Sequence, residues 1–341
     1  MLSSHTGASV PLICGAMYPC SNPELVAAVS EAGALGIVQP ISLTYVHGHD
    51  FREGLRLIRR LTQKPIGMNA LIDQSSKAYR ERMERWVDIA LEEGVRFFVT
   101  SLGNPRWVVD RVAPVGGIVY HDVTERKWAE KGVAGGVAGL IAVNDRAGGH
   151  AGSLSAERLL DELAGLGLPV VCAGGIGAPE QFVDVMRMGY AGAQLGTRFI
   201  ATTECLAHDR YKQAIIDSTS DDIVLTERLT GVPVAVIDTP YIRRIGLRAG
   251  PIARRLLRGR KTKHLMRTVY ALRSLWQLKR SLGRGDPASD YWQAGRSVDG
   301  IDSIESAGDV VRSFARALAD DATRRGGVIS AAPVDATRPV S

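Results

Sequence analysis

A chain of 341 residues with 45% apolar content is long enough to bury a large core, either as two ordinary domains or as one barrel carrying an insertion. No stretch reaches the roughly 18 apolar residues of a membrane span, no basic segment followed by a long apolar run opens the sequence, and Cys14, Cys20, Cys172 and Cys205 form no C-x-x-C pair. The expectation is a reduced, metal-free, cytoplasmic protein. The net charge of +6 hides an asymmetry, because fourteen Lys and Arg and no Asp or Glu stand between Arg243 and Arg284, which leaves the remainder acidic.

In chain order, short apolar and β-branched runs alternate with stretches of helical spacing. PLICGAM (11–17) precedes PELVAAVSEAG (23–33), and LGIVQ (35–39) and IGMNAL (66–71) follow. RERMERWVDIALEEG (80–94) leads to RFFVTS (96–101), GIVYHD (117–122) and GLIAVN (139–144). SAERLLDELAGLG (155–167) leads to PVVCAGGI (169–176), and PEQFVDVMRMG (179–189) to GAQLGTRFI (192–200). Such alternation predicts a parallel sheet covered by helices, and near-continuous apolar runs fit strands packed on both faces. Eight runs favour closure, so the expected fold is an α/β (β/α)8 TIM barrel, with a doubly wound open sheet as the alternative. No helix follows GTRFI directly, but GDVVRSFARALADDA (308–322) supplies an eighth. The expected organisation is therefore barrel strands within 1–205, a basic helical lid at 206–290 inserted in the last βα connection, a return to the barrel with its last helix at 291–324, and a disordered tail at 325–341.

In a barrel, ligands bind at the carboxyl ends of the strands, and phosphates commonly bind after strands seven and eight. AGGIG (173–177) and LGTRF (195–199) fall at those two places. Glycine lets backbone N–H groups turn inward on a phosphate, and Thr197 adds a hydroxyl. The bland alternative is that these glycines only satisfy turn sterics. A third turn, NDRAGGHAG (144–152), presents His150 between glycines after strand six, where an imidazole with an ordinary pKa of about 6.5 suits a general acid or base. Gly15 and Ala16 at the end of strand one permit close approach to a flat ring. Asn69 in strand three is a polar group within an apolar run and needs partners, which a polyhydroxyl chain with a phosphate could supply.

Taken in order, PLICGAM, GMN, AGGHAG, CAGGIG and QLGTRF, with YWQAGRSVDGI at 291–301, resemble the nitronate monooxygenase family. Its relatives include flavin enoyl-acyl-carrier-protein reductases and NADH:quinone reductases, all FMN enzymes on the same barrel. The resemblance implies that Gly15, Ala16 and Met17 lie against the flavin ring and that Asn69 contacts the ribityl-phosphate end. It also implies that Gly174, Gly175, Gly196 and Thr197 bind the phosphate, with Gln194, Gly149 and Ala173 beside them in the cofactor-binding set. His150 matches the family's active-site histidine, which removes the α-proton of a neutral nitroalkane. The implied reaction is oxidation of alkyl nitronates with O2. The alternatives are an NAD(P)H-dependent FMN reductase of an enoyl thioester or quinone, and a flavin- or phosphate-binding protein without turnover. Two positions depart from the pattern. Arg146 stands where many relatives carry an acid, and Asp122 aligns with a lysine that faces the flavin in the quinone-reductase branch. An ionised Asp there opposes a reduced, anionic ring, and Arg146 is the candidate to supply the missing positive charge.

The basic segment mixes cations with apolar residues at helical spacing. Leu265, Val269, Leu272, Leu275 and Trp276 share a face that a lid helix is expected to pack on the barrel. The cations suit a polyanionic ligand or an acidic membrane surface, whereas no nucleic-acid module accompanies them. A small-molecule substrate with O2, and a homodimer, complete the expected partners.

Overall fold

The computed structural model describes residues 2–72, 77–248, 250 and 262–326, and in 262–272 the backbone alone. All of the expected tail except Arg325 and Gly326 therefore lies outside the described residues.

Eight parallel strands close into one barrel in sequence order, β1 pairing with both β2 and β8. They are β1 (Leu12–Cys14), β2 (Leu35–Val38), β3 (Ile66–Ile72), β4 (Phe97–Leu102), β5 (Ile118–Val123), β6 (Gly139–Val143), β7 (Val170–Ala173) and β8 (Gly192–Leu195). This is the (β/α)8 barrel rather than the open sheet. Each run forms a strand because both of its faces are buried. Ile13, Ile37, Val99, Tyr120, Ile141 and Val171 fill the inside, while Leu12, Met68, Phe98, Leu140 and Cys172 pack outward under the helices. Three runs stop well short of their expected ends, at Cys14, Ala173 and Leu195, because glycine follows each strand. The residues expected to prolong the eighth strand instead form a short helix, Thr197–Ile200.

Helices α2 (Pro23–Glu31), α3 (Phe51–Leu61), α4 (Lys77–Glu92), α5 (Arg106–Val112), α6 (Arg126–Ala134), α7 (Ala156–Leu163) and α8 (Pro179–Met188) cover the outside, joined by the long helix Ala307–Arg324. Several starts are capped as their sequences suggest. Asp50 accepts from the N–H groups of Arg52 (3.0 Å) and Glu53 (3.2 Å), and Ser306 accepts from Asp309 (3.0 Å). Each such cap contributes about 1 kcal/mol.

The amino end of the barrel is plugged by α1 (Leu2–Thr6), whose Leu2 is buried among the inward side chains. Its one ring nitrogen near the core, His5 Nδ1, pairs with the Tyr120 hydroxyl at 2.9 Å. Over the carboxyl end lie an antiparallel hairpin, β9 (Ile223–Thr226) with β10 (Val234–Ile237), and a long helix, Thr262–Arg284. The apolar face expected of that helix is corrected by the structure: Trp276 is exposed, and Ser274, Leu278 and Ser281 are the buried positions. The packing is decided by what lies beneath, since Ser274 shares a hydrogen bond with the Tyr291 hydroxyl at 2.6 Å and Leu278 joins a cluster with Val236 and Tyr291. Leu265, Val269 and Leu272 fall among the residues whose side chains are not described.

Candidate active site at the barrel mouth

Alternation along a strand decides which residues reach the mouth. On β5, Tyr120 points inward, so His121 faces the helices and Asp122 faces the interior one step nearer the mouth. The two neighbours meet opposite environments. His121 is buried with Nδ1 2.9 Å from Thr100 Oγ1, whose own hydrogen goes to the Tyr120 carbonyl at 3.0 Å, and burial lowers the imidazole to about 4. Asp122 has one carboxyl oxygen, Oδ1, sealed from solvent and without a hydrogen-bond partner among the described residues. Burial raises its carboxyl to about 7, so it keeps its proton far above the usual carboxylate range.

The same alternation brings Gln39, Asn69 and Gln194 to the inner face. Gln194 Oε1 is also sealed and unpartnered among the described residues. Gln194 registers with Ile13 on one side and Ala173 on the other, and a Cβ at Gly15 would sit 3.0 Å from its Cγ. Gly15 is therefore required for Gln194 to lie across the end of β1. Asn69 is buried, and among the described residues its amide makes a long contact, 3.5 Å, with the Val99 carbonyl. It stands on β3, four strands round the barrel from β7, and so across the mouth from the glycine turns.

Those turns are built for close approach. Gly174 and Gly175 have φ of 117° and 78°, a region that side-chain-bearing residues rarely adopt. A Cβ on Gly174 would strike Asn144 and Ala147, and one on Gly175 would lie 2.9 Å from Arg146 Cδ and Nε, so the glycines let the loop after β6 close on the loop after β7. Gly174 N–H faces the Gln194 carbonyl across the β7–β8 pairing, whereas the N–H groups of Gly175 and Gly196 donate to no acceptor among the described residues. By contrast, Gln181 Oε1 takes the N–H groups of Gly177 (2.7 Å) and Ala178 (3.0 Å). Thr197 Oγ1 accepts from Gly295 N–H at 3.0 Å, which leaves its hydroxyl hydrogen free to donate. Ala173 is buried beside these turns, and Met17 lies 3.5 Å from where a Gly196 Cβ would be. Ala16 packs against the inner cluster.

His150 sits on the loop after β6 with its ring open to solvent yet crowded by protein, and that crowding lowers its pKa. Its neighbour Gly149, with φ of 69°, accepts a hydrogen bond from Ala235 N–H at 2.7 Å, which ties the histidine loop to β10 of the hairpin. The long helix closes on the other side, where Tyr18 hydroxyl donates to the Leu275 carbonyl at 2.8 Å and Lys279 Nζ donates to the Tyr45 carbonyl at 2.6 Å.

Arg146 does not stand in for a cation at Asp122. It runs past Gly175 to Asp299 (3.3 Å) and the Arg296 carbonyl (3.2 Å), tying the β6 loop to the segment after the long helix. Two contributors escaped the sequence reading. Gln39 Oε1 accepts from Ser42 N–H at 2.8 Å and fixes the turn after β2. Gly295 packs its backbone on Gly148, where a Cβ would lie 2.9 Å from Gly295 N, and the glycine in YWQAG was the available signal. Among the described residues no group of His, Cys, Asp and Glu suits a metal ion, and no helix is long and apolar enough to cross a membrane.

A family model described as nitronate monooxygenase matches residues 1–316. A Mycobacterium tuberculosis protein named (3aS,4S,5R,7aS)-5-hydroxy-7a-methyl-1-oxo-octahydro-1H-indene-4-carboxyl-CoA dehydrogenase is 27% identical over 275 residues, 79% of this chain and 75% of the relative. A probable nitronate monooxygenase of Staphylococcus saprophyticus is 28% identical over 278 residues, 69% of this chain and 77% of the relative. Among solved structures, FabK from Thermotoga maritima superposes with a TM-score of 0.78 at 25% identity, covering 95% of this chain and 98% of that one.

Proposed function

The chain belongs to the nitronate monooxygenase family, a family of oxidoreductases, and on that premise we propose that it is an FMN-dependent enzyme that oxidises alkyl nitronates with O2. One observation carries the reading: unclaimed N–H groups at the turns after β7 and β8 converge on the mouth that also holds His150 and the unpartnered Gln194 oxygen. FMN, bound there, would accept electrons from the nitronate and pass them to O2. Gly175 and Gly196 would give backbone N–H groups to its phosphate beside Gly174, and Thr197 its hydroxyl. Gly15, Ala16, Met17 and Gln194 would border its ring, and Ala173 and Gly149 would frame the turns. Asn69, expected at the ribityl-phosphate end, stands across the mouth from the phosphate turns and would instead serve the end away from the phosphate. Crowding by protein lowers the His150 pKa, which disfavours its charged form, and the imidazole would take the α-proton of a neutral nitroalkane. The strands within 1–205 would form the catalytic barrel, 206–290 its lid, and 291–324 the return that locks the phosphate turns.

A second reading, NAD(P)H-dependent reduction of an enoyl thioester or quinone, draws on the fourteen cations between Arg243 and Arg284, which suit the phosphates of NAD(P)H or coenzyme A. The Mycobacterium tuberculosis relative is named for a CoA thioester. Anaerobic stopped-flow separates the two: bleaching of the bound flavin by a nitronate and not by NADH is expected, and the opposite pattern refutes the first reading.

A further inference from the structure

Asp122 has no part in the reading above, yet it faces the mouth with an oxygen sealed and unpartnered. The elements packed against β5 bring it no cation. From β4 the residue at its level is Ser101, and from β6 its register partner is Ile141. Behind the strand, the charged groups of α5 and α6 are engaged elsewhere: Arg106 with the Ala134 carbonyl, Arg111 with Asp88, Arg126 with Glu130, Lys127 with Glu125, and Lys131 over Trp128. Glu125, Glu130 and Asp110 lie on those solvent-side elements too. Arg146 is committed to Asp299, and crowding by protein disfavours a charge on His150, in the loop after the neighbouring strand. Among the described residues, nothing in this setting favours a carboxylate.

We propose that Asp122 is the anion-recognising residue of the mouth, its protonated carboxyl donating a hydrogen bond to an oxygen of an anionic substrate. The inference rests on the nitronate reading and deepens it. A nitronate carries its charge on two oxygens of a planar group. An ionised Asp122 would repel that group, whereas the neutral acid offers it a donor and adds no charge. The roles at the mouth then divide cleanly: His150 accepts a proton and Asp122 offers one. The raised value of about 7 sets where the device switches off, since loss of the proton turns a donor into a like charge. The aligned lysine of the quinone-reductase branch would recognise an anion at any physiological pH, whereas Asp122 does so only while protonated.

The test uses the purified holoprotein and inorganic nitrate, a planar oxyanion that does not turn over, with its dissociation constant read from the perturbed flavin spectrum between pH 5.5 and 8.5. Wild-type affinity should be constant in acid and fall about tenfold per pH unit above the carboxyl's pKa. Asp122→Asn, which keeps a donor but cannot ionise, should bind nitrate with little pH dependence and within a few-fold of the acid wild type. Infrared spectra should show a protonated-carboxyl band in acid that disappears in Asp122→Asn. A flat wild-type profile, the same pH dependence in Asp122→Asn, no nitrate binding at any pH, or no such band overturns the proposal. Anion binding that follows the carboxyl in a protein that does not oxidise nitronates would sink the function and leave Asp122's role standing.

Discussion

The two ends of the barrel are made from the same eight strands and treat polar groups in opposite ways. At the amino end, α1 closes the barrel with Leu2, and the inward Tyr120 hydroxyl is matched by His5 Nδ1 at 2.9 Å. At the carboxyl end, Asp122 Oδ1 and Gln194 Oε1 are sealed without partners among the described residues, where the N–H groups of Gly175 and Gly196 are also unclaimed. Leaving a buried polar atom unpaired costs about 1–3 kcal/mol. Such costs at the mouth are what the ligand site proposed above would relieve. The contrast between His121 and Asp122 repeats this within two consecutive residues, since the outward one is paired and the inward one is not.

The contrast can be broken first at the phosphate turns. Gly175→Leu forces a side chain into a backbone with φ of 78° and against Arg146, and should abolish flavin binding. Colourless protein with an unchanged circular dichroism spectrum is expected, and yellow protein of normal occupancy counts against the site. Next in size is His150→Asn, which should keep its flavin, lose about two to four orders of magnitude in kcat/KM with neutral nitroalkanes, and stay within a few-fold of wild type on preformed nitronates. Equal losses on both substrates would contradict a proton-accepting role. At the plugged end, Leu2→Ala should cost about 2–5 kcal/mol in urea denaturation while flavin content and turnover are unchanged. A change in KM there would show that the two ends are not independent.

The smallest effect concerns stability against pH. Folding raises the Asp122 carboxyl from 3.8 to about 7, so the protonated form is the one the fold favours. Stability is therefore full below about pH 4, declines between about 4 and 7, and stays at the lower level above. Asp122→Asn removes the decline and should gain on the order of 1–3 kcal/mol over wild type on going from pH 4 to pH 8. A pH-independent difference in urea midpoint would mean that folding does not shift the Asp122 carboxyl.

Much of this architecture was legible in the sequence, for identifiable reasons. The eight runs could be found because barrel strands are apolar on both faces, and the glycine turns could be placed because their positions after strands seven and eight follow from the strand count. The run 192–200 overreached because a helical turn of Thr197–Ile200 is as apolar as a strand. The buried face of the long lid helix was misjudged because the periodicity reports amphipathicity, while Tyr291 and Val236 beneath the helix decide which positions are covered. Asp122 and Arg146 were noticed as a pair of departures, but their separation was invisible: Arg146 is drawn off by Asp299, more than 150 residues later in the chain. The proton on Asp122 is likewise a product of long-range packing, which no local pattern encodes.

The central claim is that the turns after β7 and β8 hold the phosphate of FMN, and releasing and identifying the flavin of the purified protein tests it most directly. The account predicts a yellow protein that on denaturation gives FMN in equimolar amount to the chain. A colourless protein that takes up no added FMN, or one that releases FAD, would contradict it.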